Sequence, residues 1–325
     1  MTQVLDKNRK NNKSKITDFL IRSEMITVYV VLALVVFVSI KDPSFLGGDN
    51  LIAILKGFSF YAIMAVPLTF LMVSLAFDMS IGMMVALSGT VSALLMRDHG
   101  MTFGWAVLVA ILIGALLGSC SGFLHAVMKI NAFIATLSMM YIEKGLFWVL
   151  TKQVALAVPE QTANIPDAVA GIPISIWILI VLAIIGHIIL KYTAFGKSIY
   201  IVGNNPEMAR EVGVSETKVK MILFVALGVV AGICASAIIA TYKSIPNTTG
   251  TKYEFYVNAG TILGGCSVYG GKGSIVGSLI GTAVMTIVQF SMRSLQVNVN
   301  WQYIFLGLIL LSAVVLDTVK EKRRI

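Results

Sequence analysis

A glycine-rich stretch, residues 264–274, is the part of this sequence that most resembles a site for nucleotide chemistry. A phosphate-binding loop places four residues between a first glycine and a Gly-Lys pair, and Ser or Thr follows the lysine directly. Here Cys266 stands where the first glycine is required, and Gly273 follows Lys272. No strand pattern precedes the stretch. We therefore predict that this chain does not hydrolyse nucleotides, and that ATP-driven work would need a separate ATPase subunit.

Ionisable residues inside apolar segments form a second group with chemical potential. Asp78 lies just before an apolar run, and Glu143 and Lys144 are adjacent in the middle of another. An ionisable side chain at membrane depth is costly and commonly functional, so Asp78 is a candidate for a translocation path. Asp-x-x-x-Gly before an apolar run also fits a helix cap, and that alternative stays open. Glu143 and Lys144 do not share a helix face, so each meets a polar partner, extends toward the membrane surface or contacts a substrate.

Thiol and imidazole groups are few and scattered. The chain has 3 Cys and 3 His, none of them in paired spacing: Cys120, Cys234, Cys266, His99, His125 and His187. This scatter predicts neither a disulfide framework nor a metal site. We predict no cofactor, and we do not expect the chain to be an enzyme.

The composition predicts an integral membrane protein. Hydrophobic residues make up 57% of the 325 residues and charged residues 13%, with a mean hydropathy of +0.88. Soluble domains carry about 25% charged residues. A net charge of +9 would suit nucleic-acid binding, but the basic residues concentrate in the segments predicted to be cytoplasmic. Because that distribution is the positive-inside bias of membrane proteins, we predict contact with a lipid bilayer and none with nucleic acid.

Apolar runs separated by short polar turns predict an all-α, polytopic membrane protein with about ten transmembrane helices and both termini cytoplasmic. A helix needs about 20 apolar residues to cross a bilayer. Residues 1–24 and 318–325 are predicted to be basic cytoplasmic tails, and residues 25–317 one transmembrane domain with a cytoplasmic loop at 191–218. The predicted spans are residues 26–40, 51–74, 83–96, 103–128, 132–150, 174–190, 219–241, 253–263, 275–292 and 301–316.

Broken or re-entrant segments are predicted in both halves of the chain. Asp78-Met-Ser-Ile-Gly82 precedes a helix rich in small residues, and the glycine-rich stretch 264–274 precedes another. Paired interrupted helices are typical of a transport path, although small residues can also serve tight helix packing alone. The predicted interruptions are at Gly82, Gly264, Gly265, Gly270 and Gly271.

The polar loop 191–218 contains a signal for a helix start. Asn204-Asn205 followed by Pro206-Glu207 combines a cap, a proline in the first turn and an acid near the positive helix end. Gly213 would end this helix after about two turns. Basic residues around it mark the cytoplasmic side: Lys191, Lys197, Arg210, Lys218 and Lys220. Such a helix could fit a groove on a soluble partner; an ordinary loop with a helical turn is the alternative.

Six ordered motifs carry a resemblance that covers the chain from Asp42 to Asp317. They are Asp78-Met-Ser-Ile-Gly, Asn131-Ala-Phe-Ile-Ala-Thr-Leu, Thr193-Ala-Phe-Gly-Lys-Ser-Ile-Tyr, Gly203-Asn-Asn-Pro-Glu-Met-Ala-Arg, Tyr253-Glu-Phe, and Gly264-Gly-Cys-Ser through Gly270-Gly-Lys-Gly-Ser. In this order they resemble the permease subunits of bacterial ABC sugar importers. The nearest likeness is to the ribose-type group, which includes galactose, xylose and autoinducer-2 transporters.

The resemblance implies an architecture and a set of partners. It implies a multi-pass permease of the bacterial inner membrane that pairs with a second copy or a related permease. ATP-binding subunits would dock at the cytoplasmic loop, and an extracytoplasmic binding protein would deliver the solute. The ATPase-coupling residues carried over are Phe195, Gly196, Asn204, Asn205, Pro206, Glu207, Ala209, Arg210 and Gly213. Ala76-Phe77 and Tyr256-Val257-Asn258 depart from the family's usual Gly-Gly-Ile and Asp-Ala-Ile, so substrate identity is not carried over.

We therefore expect an ATP-driven importer subunit for a monosaccharide, with ribose favoured. A nucleoside or autoinducer-2 permease, an ion-coupled secondary transporter and a channel are the alternatives. An ion-coupled carrier would bury a relay of carboxylates, and this chain offers Asp78, Glu143 and Glu254. Side chains that could read sugar hydroxyls or a sugar ring lie along the path, with packing as the alternative for each: Phe77, Asp78, Ser80, Phe133, Thr136, Tyr253 and Asn258.

Overall fold

The computed structural model describes residues 23–159 and 166–322. The predicted N-terminal tail lies outside the described residues except for its last two positions, which already belong to the first helix. The last helix continues to Lys322, so the predicted boundary between transmembrane domain and C-terminal tail at Asp317 falls inside a helix. Residues 323–325 of that tail lie outside the described part of the chain.

Helices form nearly all of the described structure, and the all-α prediction is confirmed. They are α1 (Ser23–Lys41), α2 (Gly48–Val73), α3 (Ile81–His99), α4 (Phe103–Gly122), α5 (Ala132–Thr151), α6 (Ile174–Tyr192), α7 (Ala194–Asn204), α8 (Pro206–Glu211), α9 (Glu216–Tyr242), α10 (Tyr253–Leu263), α11 (Ile275–Ser294) and α12 (Val299–Lys322). A 3₁₀ turn covers Pro43–Leu46, and a π turn, Phe123–Val127, extends α4.

Two short antiparallel ladders join loops at what we predict to be the outer side. Strand β1 (Leu156–Ala157) pairs with β4 (Ser244–Ile245), and β2 (Ala168–Val169) pairs with β3 (Ile172–Pro173). The first ladder ties the loop after α5 to the loop after α9, which lies far along the chain.

The described helices have the lengths expected of a polytopic membrane protein. Seven of them are long and apolar enough to cross a bilayer, and α1 and α12 contain the shorter apolar stretches Leu32–Lys41 and Val299–Val315. Helix α10 has 11 residues, which corresponds to about 16 Å. Because the hydrocarbon core is about 30 Å thick, α10 is too short to cross it alone. Each of the ten predicted segments is helical, but this one is a half-helix.

The interior is built around α2 and α9, and close backbone contact joins α9 to α4. The second half of α2 is buried throughout, from Ser59 to Val73. A Cβ atom on Gly114 would collide with the carbonyl of Gly228 across the α4–α9 interface, and one on Gly118 with the carbonyl of Phe224. Small residues permit such approach, and dispersion contacts then hold membrane helices together. Gly114 and Gly118 are four positions apart and lie on the same face of α4, so their small size permits this close packing.

Replacing Gly114 tests this contact. The change Gly114→Ala puts a methyl group against the backbone of α9, so the two helices must separate. We expect the free energy of unfolding to fall by about 1–3 kcal/mol. Gly104→Ala is the matched control, because a Cβ there meets nothing within 4 Å and Gly104 belongs to the same helix. Thermal unfolding of the detergent-purified protein measures both. Equal unfolding temperatures for the two variants would contradict the packing role.

Candidate functional site

Two interrupted helices meet inside the described bundle. The first break separates α2 from α3 at residues 74–80, and the second separates α10 from α11 at residues 264–274, which we call the break loop. The Asn258 amide of α10 links the two regions, because its Nδ2 donates to the Asp78 carbonyl at 3.1 Å and to the Glu254 carbonyl at 2.6 Å. The backbone N–H of Met79 donates to Thr136 Oγ1 at 3.1 Å. The structure thus brings Asp78, Thr136 and Asn258 close together, and their role in a solute path stays a prediction.

Asp78 closes the turn that begins α3. Its Oδ1 accepts from the Ser80 backbone N–H at 2.5 Å and from Ser80 Oγ at 2.8 Å. Both side chains are fully buried. These two bonds form an Asx-type turn ahead of the helix. Ser80 is the N-cap of α3 and the helix has no side-chain cap hydrogen bond, so the capping alternative for Asp78 is not confirmed. The second oxygen, Oδ2, has no hydrogen-bond partner among the described residues.

Glu143 adds a second buried carboxyl group that was not among the predicted site residues. It is fully buried in α5, and neither carboxyl oxygen has a hydrogen-bond partner in the described structure. Its neighbour Lys144 turns away and lies 4.7 Å from the centre of the Trp148 ring, as adjacent helical positions require. The sequence shows only that Glu143 lies within an apolar run. It does not show whether its side chain points toward the interior of the bundle or away from it.

Several buried acceptor oxygens near the first break and on α10 lack a hydrogen-bond partner in the described structure, as do others elsewhere in the bundle, such as Thr90 Oγ1 and Gln289 Oε1. Asp78 Oδ2, Asn258 Oδ1 and Glu254 Oε2 join the two oxygens of Glu143 in this property among the described residues. Buried acceptors without donors are costly. Each of these oxygens can receive a hydrogen bond from water or from a hydroxyl group.

The predicted aromatic path residues divide between two environments. Phe77 and Phe133 stack with ring centroids 6.2 Å apart, and Phe133 is 45% exposed. Tyr253 instead packs edge-on against Tyr61 at 4.7 Å, within an aromatic group that also includes Tyr256. Phe133 is therefore exposed on the protomer surface with the half-buried Phe77 beside it, whereas Tyr253 packs within the bundle.

The predicted helix interruptions need one correction. Gly264, Gly265, Gly270 and Gly271 do lie in the break loop, and the last three have φ values of +94°, +76° and +67°. Gly82 does not interrupt a helix, because α3 has already begun at Ile81. A Cβ on Gly82 would collide with the carbonyl of Gly250. The residue is small because another backbone segment crosses there, and sequence alone does not separate this requirement from a turn.

The cytoplasmic loop contains two helices rather than one. Helix α8 starts after Asn205, whose Oδ1 accepts from the N–H groups of Glu207 and Met208 at 2.9 and 3.1 Å. Gly213 has φ +79°, as expected for a residue that ends a helix. The predicted helix, Asn204–Gly213, is thus too long: Asn204 belongs to α7, and α8 ends at Glu211.

Helix α7 itself was missed by the sequence analysis. Phe195 and Gly196 form its first turn, capped by Thr193, whose Oγ1 accepts from the Gly196 N–H at 3.0 Å. A Cβ on Gly196 would collide with the carbonyls of Ile189 and Leu190, so glycine permits the sharp turn out of α6. Thr193 is a residue type that caps helices and could have indicated this helix, but the stretch was interpreted as a polar loop.

Helix α8 presents a mixed apolar and charged surface. Ala209 is fully buried beneath it, whereas Met208 and Val212 are 56% and 61% exposed. Exposed charges flank these two side chains: Glu207, Arg210 and Glu211. Beside α8, Glu216 at the start of α9 binds Lys220 at 2.8 Å and approaches Arg210 at 3.9 Å. A short, capped, partly apolar helix is therefore held against the base of α9 and open to a partner.

Comparison with known proteins supplies the context for these elements. Residues 50–314 match the family described as branched-chain amino acid transport system / permease component. The ribose import permease protein RbsC of Haemophilus influenzae is 32% identical, covering 96% of this chain and 97% of its own length. The L-arabinose ABC transporter permease protein AraH of Azospirillum brasilense is 32% identical over 91% of this chain and 88% of its own.

A further relative is named for a solute other than ribose or arabinose. The autoinducer 2 import system permease protein LsrC of Escherichia coli is 28% identical, covering 90% of this chain and 86% of its own length. No solved structure matches the chain significantly. The similarity therefore extends over nearly the whole of these relatives and includes both breaks and the α7–α8 segment.

Asn258 tests whether the two breaks depend on each other. The change Asn258→Asp removes both N–H donors and leaves the Asp78 and Glu254 carbonyls without this partner. We expect a loss of about 1–3 kcal/mol in the free energy of unfolding. Asn247→Asp is the control, since exposed Asn247 donates a comparable bond to the Gln153 carbonyl at 3.2 Å. Thermal unfolding in detergent compares them, and a loss no greater at Asn258 than at Asn247 would refute the link.

Proposed function

Since this chain belongs to the branched-chain amino acid transport system / permease component family, we propose that it forms the translocation path for a monosaccharide, with ribose as the first candidate. The chain is a membrane-spanning permease subunit of an ABC importer in the bacterial inner membrane, not itself an enzyme. Separate subunits bind ATP and the solute. The specific sugar, the pairing of two permease copies and the roles of individual residues are our proposals.

Full-length similarity to sugar permeases carries the choice of substrate class. The family description names branched-chain amino acids, but the RbsC and AraH relatives, named for ribose and L-arabinose, align over at least nine-tenths of this chain.

A second permease copy would complete the path. The stacked Phe77–Phe133 pair, of which Phe133 is exposed, supports a path that runs along the surface of the protomer, where aromatic faces can meet the apolar side of a sugar ring. In this arrangement Asp78, Ser80, Thr136 and Asn258 hold the interrupted helices behind that surface. Tyr253 supports α10 through its contact with Tyr61.

The coupling role belongs to α8. Its cap at Asn205, its buried Ala209 and its exposed Met208 and Val212 support a short rigid helix that docks in a groove of the ATP-binding subunit. Pro206 fixes its first turn, and Gly213 turns the chain toward α9. Phe195 and Gly196 direct α7 away from the membrane, so α7 and α8 together form the cytoplasmic element.

Uptake by reconstituted complexes tests the substrate. Liposomes containing the permease and its ATP-binding subunit, with ATP inside and the binding protein outside, should accumulate radiolabelled D-ribose. Excess L-arabinose should compete more effectively than leucine or a nucleoside, because the path is proposed to accept sugars. Uptake by the permease alone, driven by an ion gradient without ATP, would instead support a secondary transporter. Preferential competition by leucine or a nucleoside would reject the monosaccharide.

The docking helix is tested by removing its charges. The double variant Glu207→Ala/Arg210→Ala should insert normally but retain less ATP-binding subunit on co-purification and lose solute-stimulated hydrolysis. The control is Arg97→Ala/Asp98→Ala, which removes a charge pair joined at 2.7 Å and about half exposed at the end of α3 predicted to be outside. Capture of the ATP-binding subunit at wild-type yield, together with normal uptake, would show that α8 is not the docking element.

A further inference from the structure

Three elements hold the break loop at its cytoplasmic end. From α2, the Val73 carbonyl accepts from the Gly271 N–H at 2.9 Å. From α12, Asp317 Oδ2 accepts from Ser267 Oγ at 3.0 Å and from the Val268 N–H at 2.9 Å. From α7, the Tyr200 hydroxyl donates to the Gly273 carbonyl at 2.7 Å. The loop is therefore tied to two membrane helices and to one cytoplasmic helix.

Helix α7 packs against this loop with its backbone as well as with Tyr200. A Cβ on Gly203 would collide with the Val73 carbonyl, and one on Gly271 would collide with the Asn204 side chain. Asn204 Nδ2 in turn donates to the Tyr200 carbonyl at 2.8 Å. The end of α7, the end of α2 and the break loop thus form one close contact.

Of the three helices that hold the break loop, α7 differs because it leads directly into α8. Asn204 ends α7, and Asn205 caps α8, so a displacement of α8 acts on α7 directly. The break loop begins at the end of α10. In that helix, Asn258 Nδ2 donates to the Asp78 carbonyl of the other break. A connected series of contacts therefore leads from the docking helix, through Tyr200 and the break loop, to both interrupted helices.

We propose that Tyr200 is a positioning residue that couples the movement of the docking helix to the break loop through its hydrogen bond to Gly273. The proposal rests on the function proposed above, because it requires an ATP-binding subunit that moves α8. When α7 and α8 shift, the loop follows Tyr200, and α10 shifts relative to the first break. Without this bond the loop keeps only its packing contacts with α7 and follows that helix less closely, so less solute moves for each ATP hydrolysed.

The Tyr200 hydroxyl is suited to a permanent link. Burial raises its pKa above the usual tyrosine range, so it keeps its proton and remains a donor to the Gly273 carbonyl. Gly273 has φ +156°, and a Cβ there would approach the Cys266 sulfur to 2.7 Å, so the loop backbone has little room to move away. A phenylalanine ring fits the same space and removes the bond alone.

The change Tyr200→Phe is the test, made in the complete complex of permease, ATP-binding subunit and binding protein in liposomes. The ATP-binding subunit should be retained at wild-type yield and should still hydrolyse ATP. The amount of solute taken up per ATP should fall about fivefold, the size expected for loss of one neutral hydrogen bond. Tyr192→Phe is the matched control, because exposed Tyr192 contacts Lys191 and His187 through its ring.

A second variant separates coupling from loop stability. Asp317→Ala releases the loop from α12 but leaves Tyr200 in place, so it should lower the unfolding temperature and keep the uptake per ATP. The proposal is overturned if Tyr200→Phe preserves the wild-type ratio, or if Asp317→Ala reduces that ratio as much. Both ratios refer to assembled complexes, so a reduced yield does not affect them. Failure of the wild-type chain to bind an ATPase would reject the proposed function instead.

Discussion

The need to satisfy backbone hydrogen bonds inside a membrane governs this structure. Irregular backbone at membrane depth is tolerated where protein surrounds it, and both breaks meet that condition by using each other and their neighbours. The Met79 N–H donates to Thr136 Oγ1, and the Gly271 N–H donates to the Val73 carbonyl. The Asp78 carbonyl accepts from the Asn258 side-chain amide. The breaks are consequently not independent loops, and the helices that bear these partners cannot shift without affecting them.

Close helix approach follows from the same condition. To bury the second break, α10 and α11 must come into backbone contact, and a Cβ on Gly264 would collide with the Gly277 carbonyl while one on Gly281 would collide with that of Gly260. The first break requires the same of Gly82 and Gly250. Glycine around the breaks therefore has two roles: it permits positive φ at Gly265, Gly270 and Gly271, and at Gly82, Gly264 and Gly281 it admits a neighbouring backbone.

Those two roles explain how far sequence reasoning reached. Apolar length located every described membrane helix, and the Asn205 cap and Gly213 were identified because they act locally. Gly82 was assigned wrongly because its requirement comes from Gly250, far along the chain. Glu143 was not predicted as a site residue because its burial depends on which helices pack against α5, and the local sequence does not show this. The Tyr200–Gly273 bond joins residues separated by 73 positions, and no local pattern encodes such a contact.

The placement of the buried acids explains why the energy for transport must enter elsewhere. A carboxylate relay needs groups that exchange protons or ions with both faces of the membrane. Asp78 instead commits one oxygen to Ser80 at the start of α3, and Glu143 is enclosed within the bundle with no exposed surface. Neither carboxyl group is exposed on this protomer. The exposed element is α8, which is capped at Asn205 and joined through α7 to the break loop, and the function proposed above places the mechanical input there.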